Sequence, residues 1–264
     1  MKNIRHTFNV ILTLAKMQVS KSMIYRYSFW GAFLCDTSMF LIQLLIFKVI
    51  AQDGHIGSWN VYHLTVFIGT YMALDGLYMA TYFFGLIELP WKIRSGNLDL
   101  IIIKPVSTLF YAAFSSLNLG SILQFITGLI VVFYGAVKLH VFYVPHIIQF
   151  IIIFTLMYVL MFLLMLCIRC LSFWMTKINS FAMLEDTLID FSFKLPSPAI
   201  RGGWRIVLFA VLPYGLMANM PSEAIFGEFS IRKWCLCIGV VAFFSLLAFV
   251  LWKFGRCHYD SASS

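Results

Sequence analysis

Long apolar runs constrain this chain more than any other feature. Residues 28–50, 60–84, 106–137, 145–168 and 232–253 are each predominantly apolar. A helix rises 1.5 Å per residue, so about 20 apolar residues cross the roughly 30 Å hydrocarbon core of a bilayer. Backbone polar groups find no water there, so each run must bond to itself as a helix. Composition agrees: 61% of residues are hydrophobic and 11% charged, against about 45–50% and about 25% in soluble domains. A soluble enzyme, a disordered chain and a nucleic-acid-binding domain are all excluded. The net charge of +8 comes from basic residues between the runs, the usual place for them beside membrane spans. The fold class is an all-α integral membrane protein, and residues 1–264 read as a single transmembrane domain.

Residues 1–27 carry Lys2, Arg5, Lys16, Lys21 and Arg26 around an apolar face of Ile4, Phe8, Ile11, Ala15 and Val19. That pattern predicts an amphipathic helix lying on the membrane surface, and Lys16 interrupts the apolar core that a secretion signal needs. With the amino terminus inside, Lys92, Arg94, Lys104, Arg169, Lys177, Lys253 and Arg256 also fall inside, and the 51–60 and 138–146 loops fall outside. Counting Lys and Arg therefore predicts cytoplasmic termini.

Five runs with both termini inside require a sixth crossing, and two readings of the stretch 179–226 supply it. In one, about 179–200 crosses despite Glu185, Asp186 and Asp190, and 204–222 dips in from outside without crossing. In the other, 204–220 crosses and Lys194, Arg201 and Arg205 stay inside. Charge counting favours the second. Pro196, Pro198, Pro213 and Pro221 cut the stretch into short pieces, which suits a buried re-entrant segment.

The chain has no G-x-x-x-x-G-K-[ST] phosphate loop, no H-E-x-x-H and no G-x-S-x-G. Its six histidines fall at predicted loops and helix ends, and Cys167 and Cys170 read as packing thiols. No cofactor or metal is expected in this chain. Asp36 and Asp75 lie inside spans, each roughly 12–15 Å from the cytoplasmic boundary. Such residues face a bundle interior or water, so the two are candidates for a substrate- or proton-facing path, or for a hydrogen-bonded tie between helices. Ala112, Ser116, Gly120, Gln124 and Gly128 recur every fourth residue and predict close helix packing, with Gln124 bonding across. Residues 89–105 are bracketed by Pro90 and Pro105, basic and partly amphipathic. They predict a cytoplasmic surface segment offering a face to a soluble partner.

The run Arg94-Ser-Gly-Asn-Leu-Asp-Leu-Ile-Ile-Ile-Lys-Pro105 resembles a pattern found after the second span of ABC-2-type permeases. Tyr25-Arg26, Ser172-Phe173-Trp174, the stretch from Pro198 to Arg205, Pro213-Tyr214 and Pro221 resemble further landmarks of the six-span bacterial members. The resemblance implies an ABC-2 (type V exporter-like) fold in which residues 1–27 form a connecting helix and 204–222 re-enter from outside. It implies a permease subunit, with ATP and Mg²⁺ bound by a separate soluble ATPase. A second permease subunit, identical or related, would complete the path in the bacterial plasma membrane. Trp91, Arg94, Gly96, Leu98, Asp99, Leu100, Lys104 and Pro105 would then form the coupling segment that meets the ATPase. The competing class is a secondary transporter or channel using Asp36 and Asp75, which needs no ATPase and often shows an internal repeat.

Overall fold

The computed structural model describes residues 26–50, 55–175, 178–200, 202–227 and 229–259. The predicted connecting helix at 1–27 lies outside them, apart from Arg26 and Tyr27 at the start of the first described helix. Almost everything described is helical: α1 Arg26–Ile50, α2 Val61–Thr81, α3 Phe83–Arg94, α4 Asp99–Ile102, α5 Thr108–Phe114, α6 Gly120–Lys138 and α7 Val144–Cys170. Then follow α8 Asn179–Lys194, α9 Gly203–Ile206, α10 Leu216–Ile225 and α11 Ile231–Cys257. The exception is a two-residue hairpin of β1 (His55–Ile56) and β2 (Trp59–Asn60), paired antiparallel with Ile56 opposite Trp59. Gly57 turns it at φ +62°, a conformation in which a Cβ is strained.

Asn60 starts α2 by accepting from the backbone of Tyr62 (2.9 Å) and His63 (3.1 Å), two donors that the first helical turn cannot satisfy itself. Pro145 starts α7, where a missing N–H does no harm.

By length and composition, α6, α7 with the turn that follows it, and α11 can each cross a membrane. The bent pair α2–α3 makes a fourth if counted as one span. The six crossings read from sequence are not all met by that test. α8 is 16 residues long and includes Glu185, Asp186, Asp190 and Lys194.

The innermost packing joins α2 to α6, which run antiparallel with their backbones in contact. A Cβ on Gly69 would lie 2.7 Å from the Val132 nitrogen, and one on Gly135 would lie 2.7 Å from the Val66 side chain. Cβ atoms on Gly76 and Gly128 would collide with the backbones of Phe125 and Ala73. The two pairs of glycines, each seven residues apart, put a smooth stripe on each helix, which permits close approach in a bilayer.

The single span expected over 106–137 is instead broken. α5 and α6 are separated by residues 115–119, and the chain bends by 45° between α2 and α3. The two breaks face each other. The Asn118 N–H donates to the Ala80 carbonyl at 3.0 Å, and the Asn118 side chain caps the Gly120 N–H at 3.0 Å. Carbonyls at a helix end lack an intrahelical donor, and Asn118 satisfies one of them. Tyr82 fills the corner, its hydroxyl donating to the Tyr158 carbonyl at 2.9 Å and its ring against Phe114 and Phe162. The stripe predicted from Ala112 to Gly128 is therefore not one surface. Ala112 packs on α5, Ser116 in the break donates to Glu88 at 3.2 Å, and Gly120, Gln124 and Gly128 lie on α6.

Candidate functional site

Two regions carry the residues singled out in the sequence. The first is a groove of about 440 Å³ between α1, the carboxyl-terminal half of α2 and α8. Met39, Phe40, Ile42 and Ile46 of α1 face Tyr71, Asp75, Tyr78 and Met79 of α2 across it, and Asp186, Ile189, Asp190 and Lys194 of α8 close one side. Asp75 is buried, and both its oxygens accept: from the Tyr78 hydroxyl at 2.7 Å and from the Gln124 amide at 2.6 Å. Asp75 thus ties α2 to α6 and also borders the groove. Asp36 lies on α1, and its side chain is outside the described residues, so its pairing with Asp75 is not part of this geometry. Sequence reading took Asp186 and Asp190 only as obstacles to a crossing. In the fold they line the groove, with Asp190 paired to Lys194 at 3.2 Å.

The third carboxylate of α8 is treated differently. Glu185 is fully buried and meets Arg169 at 2.9 Å, while the Tyr214 hydroxyl donates to it at 3.0 Å. Helical spacing explains the split. Glu185 turns to α7 and the Pro213–Gly215 turn, while Asp186 and Asp190, one and five residues on, turn to the groove.

The second region is the segment between α3 and α5. α3 continues through Pro90 to Arg94, and Gly96 follows at φ +74°, closing the helix with its N–H aimed at the Ile93 carbonyl (3.4 Å). Only glycine takes that angle without strain. The short α4 then divides its side chains. Leu98 and Ile101 enter the core, while Leu100 and Ile103 are 61% and 79% exposed. Trp91, Arg94 and Pro105 are exposed too, and Lys104 lies 3.8 Å over the Tyr111 ring. Leu98, expected to face a partner, has its side chain fully covered within the chain. Asp99 lies beside Tyr259 after α11. Burial first, and the Asp99 carboxylate second, push that phenol above its ordinary range.

The ends of the stretch 198–227 lie together. A Cβ on Gly57 would sit 2.6 Å from the Pro198 side chain, and one on Gly227 would sit 2.8 Å from the His146 ring. Between them, the chain descends through α9 to Tyr214 and returns as α10, every residue of which is buried. Ser222 of α10 donates to Thr70 in the middle of α2 at 3.2 Å. At the far end of the bundle Gly255 of α11 packs against Phe173. Among the described residues, no group of three or more His, Cys, Asp or Glu side chains could hold a metal ion.

A family model described as "ABC-2 family transporter protein" matches residues 37–263. No curated protein and no solved structure matches the chain. The match covers the apolar helices, the groove and the segment between α3 and α5 alike, and the chain belongs to the ABC-2 family of transporter proteins.

Proposed function

We propose that this chain is the permease subunit of an ABC exporter. It spans the bacterial plasma membrane six times with both termini in the cytoplasm, beside a second permease subunit and a soluble ATPase that holds ATP and Mg²⁺. The family match carries the reading. The segment from Trp91 to Pro105 supports the coupling role. It sits between two spans, is fixed to the core by Leu98 and Ile101, and turns Trp91, Leu100 and Ile103 outward. Apolar side chains held rigidly on a surface are the usual anchors of a partner groove.

α8 serves as the fifth span in this reading, and residues 203–226 re-enter from outside. The contacts of Pro198 with Gly57 and of Gly227 with His146 support it, since both partners belong to loops assigned to the outside by charge. The objection that 179–194 is too charged to cross is weakened by the fold. Glu185 is neutralised by Arg169, Asp190 by Lys194, and Asp186 faces the groove. Intramembrane carboxylates persist where they are paired or face a polar cavity.

The test is to purify the tagged chain from its native membrane and identify what comes with it. A soluble subunit carrying a phosphate loop, whose ATP hydrolysis rises when the chain is added in liposomes, is the expected result. Transport by the chain alone, driven by a proton or ion gradient, would replace this reading with the secondary-transporter one.

A further inference from the structure

We propose that the groove between α1, α2 and α8 binds an amphiphilic cation, an apolar body carrying an amine or quaternary ammonium head. The inference rests on the permease reading and specifies what that permease recognises.

Volume sets the scale: about 440 Å³ lies in the range of small-molecule sites, roughly 300–1,000 Å³. The α1 wall is largely apolar, with Met39, Phe40, Ile42 and Ile46 around the single amide of Gln43. The described lining residues include three carboxylates, Asp75, Asp186 and Asp190, against one cation, Lys194. Lys194 is engaged by Asp190 at 3.2 Å, so the described lining holds more acidic than basic side chains. Hydrogen bonds from Tyr78 and Gln124 fix the Asp75 carboxylate in place. Tyr71 and Tyr78 border the same space, and an aromatic face beside a carboxylate favours an organic cation over a hydrated metal ion. An anionic amphiphile would meet the same apolar walls but be repelled by this excess of carboxylates.

Tetraphenylphosphonium and tetraphenylborate, alike in shape and opposite in charge, separate the outcomes. The full chain is placed in lipid nanodiscs without any ATPase, and binding is measured against empty nanodiscs. Tetraphenylphosphonium should bind saturably, and tetraphenylborate should not compete with it. Asp186→Asn, at an exposed position, should weaken binding roughly tenfold, and Lys194→Gln should tighten it by about threefold. Opposite signs from two neighbouring surface changes cannot come from damage to the fold. No binding above empty nanodiscs, as when lipid or a second copy fills the groove, would overturn the proposal. So would equal binding of tetraphenylborate, or shifts of the same sign in both variants. Absence of cation binding with an ATPase still co-purifying would overturn this proposal and leave the permease reading standing. Cation binding without any ATPase partner would remove only the coupling.

Discussion

Arg169, in the last turn of α7, and Glu185, in the middle of α8, meet at 2.9 Å with 4% and 0% of their side chains exposed. With the Tyr214 hydroxyl on the same carboxylate, the pair fastens α7, α8 and the turn before α10 at one point. A buried pair gains little over apolar packing, but half a pair leaves an uncompensated charge that costs about 3–5 kcal/mol. Arg169→Met alone should therefore lower the unfolding temperature of the detergent-purified protein far more than Arg169→Met combined with Glu185→Leu. Equal losses in the two would mean that the charges are independent.

The α2–α6 contact predicts a sharp contrast among glycines. Gly128→Ala puts a methyl into the Ala73 backbone, whereas Gly239→Ala meets nothing within 4 Å. The first should cost at least the roughly 1–3 kcal/mol of an overpacked core, since backbone cannot move aside as a side chain can. The second should be neutral. The yield of monodisperse protein after detergent extraction reads both, and a tolerated Gly128→Ala would mean that the helices are farther apart than described.

These glycines also mark how far the sequence was legible. The limits of α7 and α11 follow from unbroken apolar runs, and the sequence places both to within a few residues. The break at 115–119 does not follow from composition, because it is held by a hydrogen bond from Asn118 to Ala80, a residue 38 positions away. Gly69 and Gly76 repeat at the same seven-residue interval as Gly128 and Gly135, a signal that was present but needed both helices to be read together. Asp75 stood out, with Asp36, as an intramembrane carboxylate. Its neighbours in the groove, Asp186 and Asp190, lie on a helix that reads as too polar to cross until Glu185 has found Arg169.

Topology separates the two readings of 179–226. Ala199 is exposed and one residue from the Pro198–Gly57 contact. With the native cysteines replaced, Ala199→Cys should react with a membrane-impermeant thiol reagent in intact cells if α8 crosses and the following segment re-enters from outside. Labelling only after permeabilisation would place Ala199 in the cytoplasm and make 204–220 the fifth span.

The proposed coupling segment gives the most exposed test, because the fold assigns opposite effects to two leucines two residues apart. Leu98 is fully buried, while Leu100 projects from the surface. Leu98→Ser should behave as a core substitution and destabilise the protein by roughly 2–5 kcal/mol, with any loss of coupling following from loss of fold. Leu100→Ser with Ile103→Ser removes apolar area that nothing in this chain covers, so insertion and thermal stability should stay within about 0.5 kcal/mol of the parent. If the two side chains seat in the ATPase as anchors, each worth about 1–3 kcal/mol, the double change should weaken association by at least tenfold. Gly96→Val should fall between these extremes, since the +74° backbone resists a β-branched residue and re-aims the whole turn. Pull-down of the ATPase and its hydrolysis rate in reconstituted membranes measure all three variants on one scale. Undiminished coupling in Leu100→Ser with Ile103→Ser, in a correctly inserted protein, would show that this face meets no ATPase and that energy enters the permease elsewhere.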